Sequence, residues 1–132
     1  MENLQHGLLA KVGADCVGIF WFTDDALSRT SDGAFELDYL TDGALKEILM
    51  TPQTRQQSQN FLLSQSFGNT FFVAHQSCEA NLDDIKKFVP LVQSNVQRKG
   101  TALVLNKSKR LDTDKIVKKL AKQLEGLDIL PL

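Results

Sequence analysis

Three short stretches combine residue types that can do chemistry, and each follows an apolar run. Asp24 and Asp25 follow CVGIFWFT, His75-Gln76-Ser77-Cys78 follow TFFVA, and Asn106-Lys107-Ser108-Lys109-Arg110 follow TALVL. Paired carboxylates such as Asp24 and Asp25 can hold Mg²⁺, a hard cation that prefers oxygen ligands; the plainer reading is a polar strand end. His75 and Cys78 have the spacing of half a zinc site, but such a site takes about four ligands, and the only other histidine is His6. The same pair could act as a Cys-His nucleophile if Cys78 ionised beside His75. No acyl-transfer pattern surrounds it, and a structural pair is the plainer reading. The candidates for catalysis are Asp24, His75 and Cys78, and those for ligand binding are Asp25, Asn106 and Lys107. No metal and no cofactor is expected.

The elements that position these groups follow from hydrophobic patterning. Asp15 to Thr23, Thr70 to His75 and Thr101 to Asn106 are nearly continuous in apolar character and rich in β-branched and aromatic residues, the pattern of strands covered on both sides. Ala34 to Leu40 alternates and reads as a half-exposed edge strand, a hairpin partner for the first. Asn3 to Val12 and Thr41 to Leu49 have helical spacing. A further helix is expected from Pro52 to about Gln65, with Phe61 and Leu62 inward. Another begins near Asn81, with Leu82, Ile85, Phe88, Val89 and Val92 on one face and a kink at Pro90. Asp112 or Thr113 caps a last helix with Ile116, Val117, Leu120 and Leu124 inward, and Leu127 to Leu132 reads as a short final strand. This alternation implies an α/β fold: a single three-layer domain, residues 1–132, with a mixed, mostly parallel sheet of about five strands, an N-terminal β-hairpin and helices on both faces. In such sheets, sites gather beyond the carboxyl ends of the parallel strands, which is where the three stretches lie.

The chain has 132 residues, 42% of them apolar, enough for one sizeable core without a disulfide staple. Of the two cysteines, Cys16 opens an apolar run and reads as a small hydrophobe; a disulfide to Cys78 is the alternative. No signal-like segment opens the chain, and the longest apolar run, Cys16 to Phe22, is far short of the roughly 20 residues of a membrane helix. The expectation is a cytoplasmic protein, bacterial or phage, with no membrane contact. The sequence holds no GxxxxGK[ST], GxGxxG, HExxH, CxxC or GxSxG, so the usual phosphate-loop, dinucleotide, zinc-protease, thiol-redox and serine-hydrolase signatures are missing.

Net charge is −1, but it is unevenly spread. Residues 1–85 carry four basic and twelve acidic side chains, hence −8; residues 86–132 carry eleven basic and four acidic, hence +7. Lys109 and Arg110 sit in the loop after the third apolar run. Lys115, Lys118, Lys119 and Lys122 share one broad face of the last helix by their three- and four-residue spacing. This surface can meet phosphate backbones or an acidic protein; the bland reading is solvated charge, or attraction between the two halves. Without neighbouring aromatics, it is not expected to read single-stranded sequence.

The segment TALVLNKSKRLDTDKIVKKLAKQL, with the preceding FFVAHQSCEANLDDIKKFVPLV, resembles the late portion of ParA/MinD-like P-loop ATPases, over roughly residues 69–132. There a buried strand ends in an Asn that helps bind the base, and Asn106-Lys107 matches that position. The first half has no phosphate loop, and Asn-Lys-Ser-Lys lacks the acid of a guanine-reading motif. The resemblance implies shared local topology and a degenerate relative that binds partners, not ATPase activity. Three functions follow as expectations. The first is a non-catalytic α/β interaction module with a protein partner or a second copy of itself. The second is a nucleotide- or metal-dependent enzyme at the strand ends. The third is a nucleic-acid accessory protein using the Lys-rich helix.

Overall fold

A computed structural model describes residues 16–24, 59–66, 69–77, 82–96 and 99–131. They form strands β1 (Cys16–Thr23), β2 (Gln59–Ser66), β3 (Asn69–Ser77), β4 (Gly100–Asn106) and β5 (Leu127–Pro131). A 3-10 helix (Leu82–Lys87) leads into α1 (Phe88–Asn95), and α2 spans Thr113–Gln123. The five strands make one mixed sheet in the order β2-β3-β1-β4-β5. β1 runs parallel to β3 and β4, and β4 to β5; only β2 is antiparallel, to β3.

The most apolar run lies in the middle, as a strand buried on both faces must. Every residue of β1 is buried. Phe20, Phe22, Phe72, Ala74, Ala102, Val104 and Ile129 form a core with Ile85, Phe88 and Val92 from the first helical segments and Ile116, Leu120 and Leu124 from α2 and its C-cap. Ile19, Trp21, Val73, Leu103 and Leu105, which alternate with them, are buried as well. Both faces of the sheet are therefore covered, as in an α/β fold with a mixed, mostly parallel sheet. The two described crossovers, β3 to β4 and β4 to β5, step across the sheet in the same direction, so a common handedness puts α1 and α2 on the same face.

Two expectations are corrected. Gln59 to Gln65 is strand, not helix: β2 pairs with β3 from Gln59↔Gln76 to Ser66↔Asn69. Glutamine-rich composition favours helix only weakly, and pairing overrides it by stacking Phe61 on Phe72 at 5.7 Å. The antiparallel hairpin is accordingly β2–β3, not one starting at β1, both of whose edges are taken by β3 and β4. The helix expected to kink at Pro90 is 3-10 over Leu82–Lys87 and α over Phe88–Asn95, with Pro90 the third residue of α1. The expected helices at 3–12 and 41–49 and the expected edge strand at 34–40 lie outside the described residues.

α2 begins as the sequence implies. Asp112 is its N-cap and accepts from the Asp114 N–H at 3.0 Å. Cys16 is buried, and its thiol donates to the Gly18 carbonyl at 3.8 Å, which suits a small packed hydrophobe. No described helix is long and apolar enough to cross a membrane.

Candidate functional site

The strand order defines where a ligand site would form. From β1 the chain reaches its next parallel strand, β3, on one side; from β4 it leaves to β5 on the other. β1 and β4 are neighbours, so the crevice beyond their carboxyl ends is the topological switch point of the sheet. Asp24 stands there, one residue past β1, facing the loop between β4 and α2.

That loop is held by a dense set of hydrogen bonds. The Lys107 N–H donates to the Phe22 carbonyl at 2.8 Å, carrying the β1–β4 ladder past the end of β4. Ser108 Oγ donates to Asp24 Oδ1 at 2.5 Å, and the Lys109 N–H lies 3.2 Å from each carboxylate oxygen. The Arg110 N–H donates to Ser108 Oγ at 3.1 Å. Asn106 closes the loop from within: its Oδ1 accepts from the Ser108 N–H at 3.0 Å, and its Nδ2 donates to Leu111 O at 2.9 Å and Thr113 Oγ1 at 3.0 Å.

These bonds set the chemistry of Asp24. The Ser108 hydroxyl, then the Lys109 amide, hold its carboxyl below the usual carboxylate range, and the charges of Arg110 and Lys109 add to this. A carboxylate stabilised in this way is a poor proton acceptor near neutrality. Its lone pairs face donors, and the adjacent cations oppose a metal ion. Among the described residues, no three His, Cys, Asp or Glu side chains come together. Asp24 acts as a clamp on the loop. Replacing it with alanine is expected to speed amide exchange at Lys109 and Arg110 well before it lowers the global unfolding midpoint. Unchanged exchange at Lys109 would show that the loop holds itself.

His75 has a different environment. It pairs in register with Trp21, two residues before the end of β3, on the sheet face opposite Gln76. It is 1% exposed. Its Nε2 lies 2.8 Å from Thr23 Oγ1, its Nδ1 lies 3.3 Å from Asn60 Nδ2, and its ring meets Trp21 edge-on at 4.9 Å. A proton on Nε2 satisfies both contacts, since the Asn60 amide donates to Nδ1. Burial pushes its pKa down to about 3. His75 is thus a neutral core residue with fixed partners. Asp25 and Cys78 lie outside the described residues. The structure therefore brings Asp24, Asn106 and Lys107 together and sets His75 among the β1 and β2 side chains. Ser108 and the Lys109 amide, which complete the Asp24 contacts, carry only a local sequence signal: a small hydroxyl residue two positions after a strand-ending Asn.

The charged surface is the second candidate. Ile116, Leu120 and Leu124 point into the core at four-residue spacing, which turns the lysines of α2 outward. Lys115, Lys118, Lys119, Lys122 and Gln123 line one open groove together with Lys86 of the 3-10 helix. Lys119 pairs with Asp83, whose carboxyl this contact holds below its ordinary range. Lys109 and Arg110 are exposed but do not line the groove. No family model and no curated protein matches the chain.

Proposed function

We propose that this domain is a non-catalytic α/β interaction module that engages an anionic partner through the groove between α2 and the 3-10 helix. One observation carries the reading: five lysines from two elements line one groove, with no acid among its described lining residues. Like charges at three- and four-residue spacing destabilise the helix that bears them by about 0.2–0.5 kcal/mol per pair, so helix stability gives no reason for them. The strand-end groups support the same reading from the other side. Asp24 and Asn106 spend their polar atoms on the β4–α2 loop, and His75 is enclosed.

Retention on a heparin matrix near pH 7 tests the proposal. The protein is expected to bind despite its net charge of −1, and Lys115→Glu/Lys118→Glu/Lys122→Glu to flow through with an unchanged melting temperature. Wild-type protein in the flow-through would sink the reading. A nucleotide- or metal-dependent enzyme at the strand ends is the second reading. It is favoured by Ser77 Oγ, buried at the carboxyl end of β3 without a hydrogen-bond partner among the described residues. Heat of binding on titration with Mg²⁺ and nucleotide would support it.

A further inference from the structure

Resting on that reading, we infer that the anionic partner is the phosphate backbone of double-stranded nucleic acid, bound without reading its sequence. The lining of the groove selects among anions. Among the described residues it consists of Lys86, Lys115, Lys118, Lys119, Lys122 and Gln123, and none of these is aromatic, an arginine or apolar. A protein partner is normally anchored by aromatic or arginine side chains in a desolvated pocket, and this groove supplies no such counterpart. A single strand is held largely by bases stacked on aromatic rings, which are also missing from the lining. Planar, bidentate recognition of one phosphate or carboxylate favours arginine. The groove instead presents separate ammonium charges on flexible stems, and a phosphate backbone needs nothing more.

Charge density points the same way. Lys115 to Lys122 spans seven residues of α2, about 10 Å at roughly 1.5 Å per residue. A duplex carries one charge per about 1.7 Å of its axis, so every lysine meets a phosphate without a matched register. An extended acidic peptide offers at most one charge per about 3.3 Å, and half of those side chains point away. The charge is segregated along the chain, +7 over residues 86–132 against −8 before them, and all five groove lysines belong to the basic segment.

Lys119 is engaged by Asp83, which leaves Lys86, Lys115, Lys118 and Lys122 for phosphate. Four contacts correspond to a slope of about −3.6 in log affinity against log salt, a loss on the order of a hundredfold between 50 and 200 mM. Fluorescence anisotropy with two unrelated labelled 20-base-pair duplexes and with labelled poly-glutamate, across that salt range, is the test. Both duplexes are expected to bind equally, with a slope between −3 and −4. Lys115→Ala/Lys118→Ala/Lys122→Ala is expected to reduce the slope to about −1, whereas Lys87→Ala, which lies outside the groove, keeps it. Binding of poly-glutamate but not of duplex would overturn the nucleic-acid assignment and leave the interaction module standing. Duplex binding that the triple variant does not weaken, or that differs between the two sequences, would also overturn it. Binding of neither probe would overturn both.

Discussion

Gly18→Ala is expected to remove about 2–3 kcal/mol of stability, and Gly18→Val more, although neither residue is polar and the site is fully buried. Gly18 sits in the middle strand, beside the irregularity that shifts the β1–β4 register between Cys16 and Gly18. It pairs with Phe72, and a Cβ added to it would fall inside the Phe72 ring. That ring has no direction of retreat. Phe20 meets it edge-on at 5.1 Å, and Phe61 stacks on it at 5.7 Å. Moving Phe72 also disturbs Phe88, which lies 6.4 Å from both Phe20 and Phe61. Domains of this size are stable by only about 5–15 kcal/mol, so the valine variant approaches loss of the fold. Urea unfolding should show a lower midpoint at an unchanged slope. Gly18→Ala/Phe72→Leu should recover part of the loss, as two residues sharing one space must. Gly126 is the contrast: a Cβ there would meet nothing within 4 Å, and Gly126→Ala should be close to neutral. A Gly18→Ala variant as stable as the wild type would mean that Phe72 has room the packing does not show.

The second large effect is on pH dependence. His75 stays neutral in the fold down to about pH 3, whereas in an unfolded chain histidine titrates near 6.5. Between those values the unfolded state binds a proton that the folded state refuses. Stability therefore rises with pH through this window and falls as the solution is acidified. The neutral-His contribution is complete above about pH 6.5. Going from pH 7.5 to 5 should cost about 2 kcal/mol from this residue alone. Below pH 5 the carboxylates join in: Asp24 and Asp83, both held below their usual range, stabilise the fold while ionised and withdraw that support on protonation. The span from pH 5 to 7 isolates His75. His75→Gln should start less stable, having lost its fit between Thr23 and Asn60, but its stability should be nearly flat across that span. Parallel slopes in wild type and variant would show that His75 takes up its proton inside the fold.

How much of this is legible in the chain depends on the reach of each interaction. The runs at Cys16–Thr23, Asn69–Ser77 and Gly100–Asn106 announce buried strands because composition alone records burial on both faces. Asp112 and the spacing of Ile116, Leu120 and Leu124 announce α2, because capping and helical faces are local. β2 is hidden because QNFLLSQS has too weak an alternation to outweigh its glutamines, and its strand character comes from β3. Histidine beside a strand end resembles a site, but which way it points is invisible when both faces of the strand are apolar. That Asp24 and residues 106–110 share one end of the sheet follows from the strand pattern, but the clamp bonds between them, up to 85 positions apart, do not. Of the candidate surface, the lysine face of α2 is readable from periodicity; that Lys86 joins it from another element is not.

The central place of β1 has a consequence during synthesis. Phe20 pairs with Val104, 84 residues later, and at ribosomal rates of about 5–20 residues per second that partner emerges roughly 4–17 s after it. For that interval an uncharged, proline-free segment of eight residues, with the composition of an aggregation-prone strand, waits without one of its two neighbours. Nascent chains halted before residue 100 are the species in which chaperone binding and clustering should be greatest, and release of β4 from the ribosome is the step that ends the exposure.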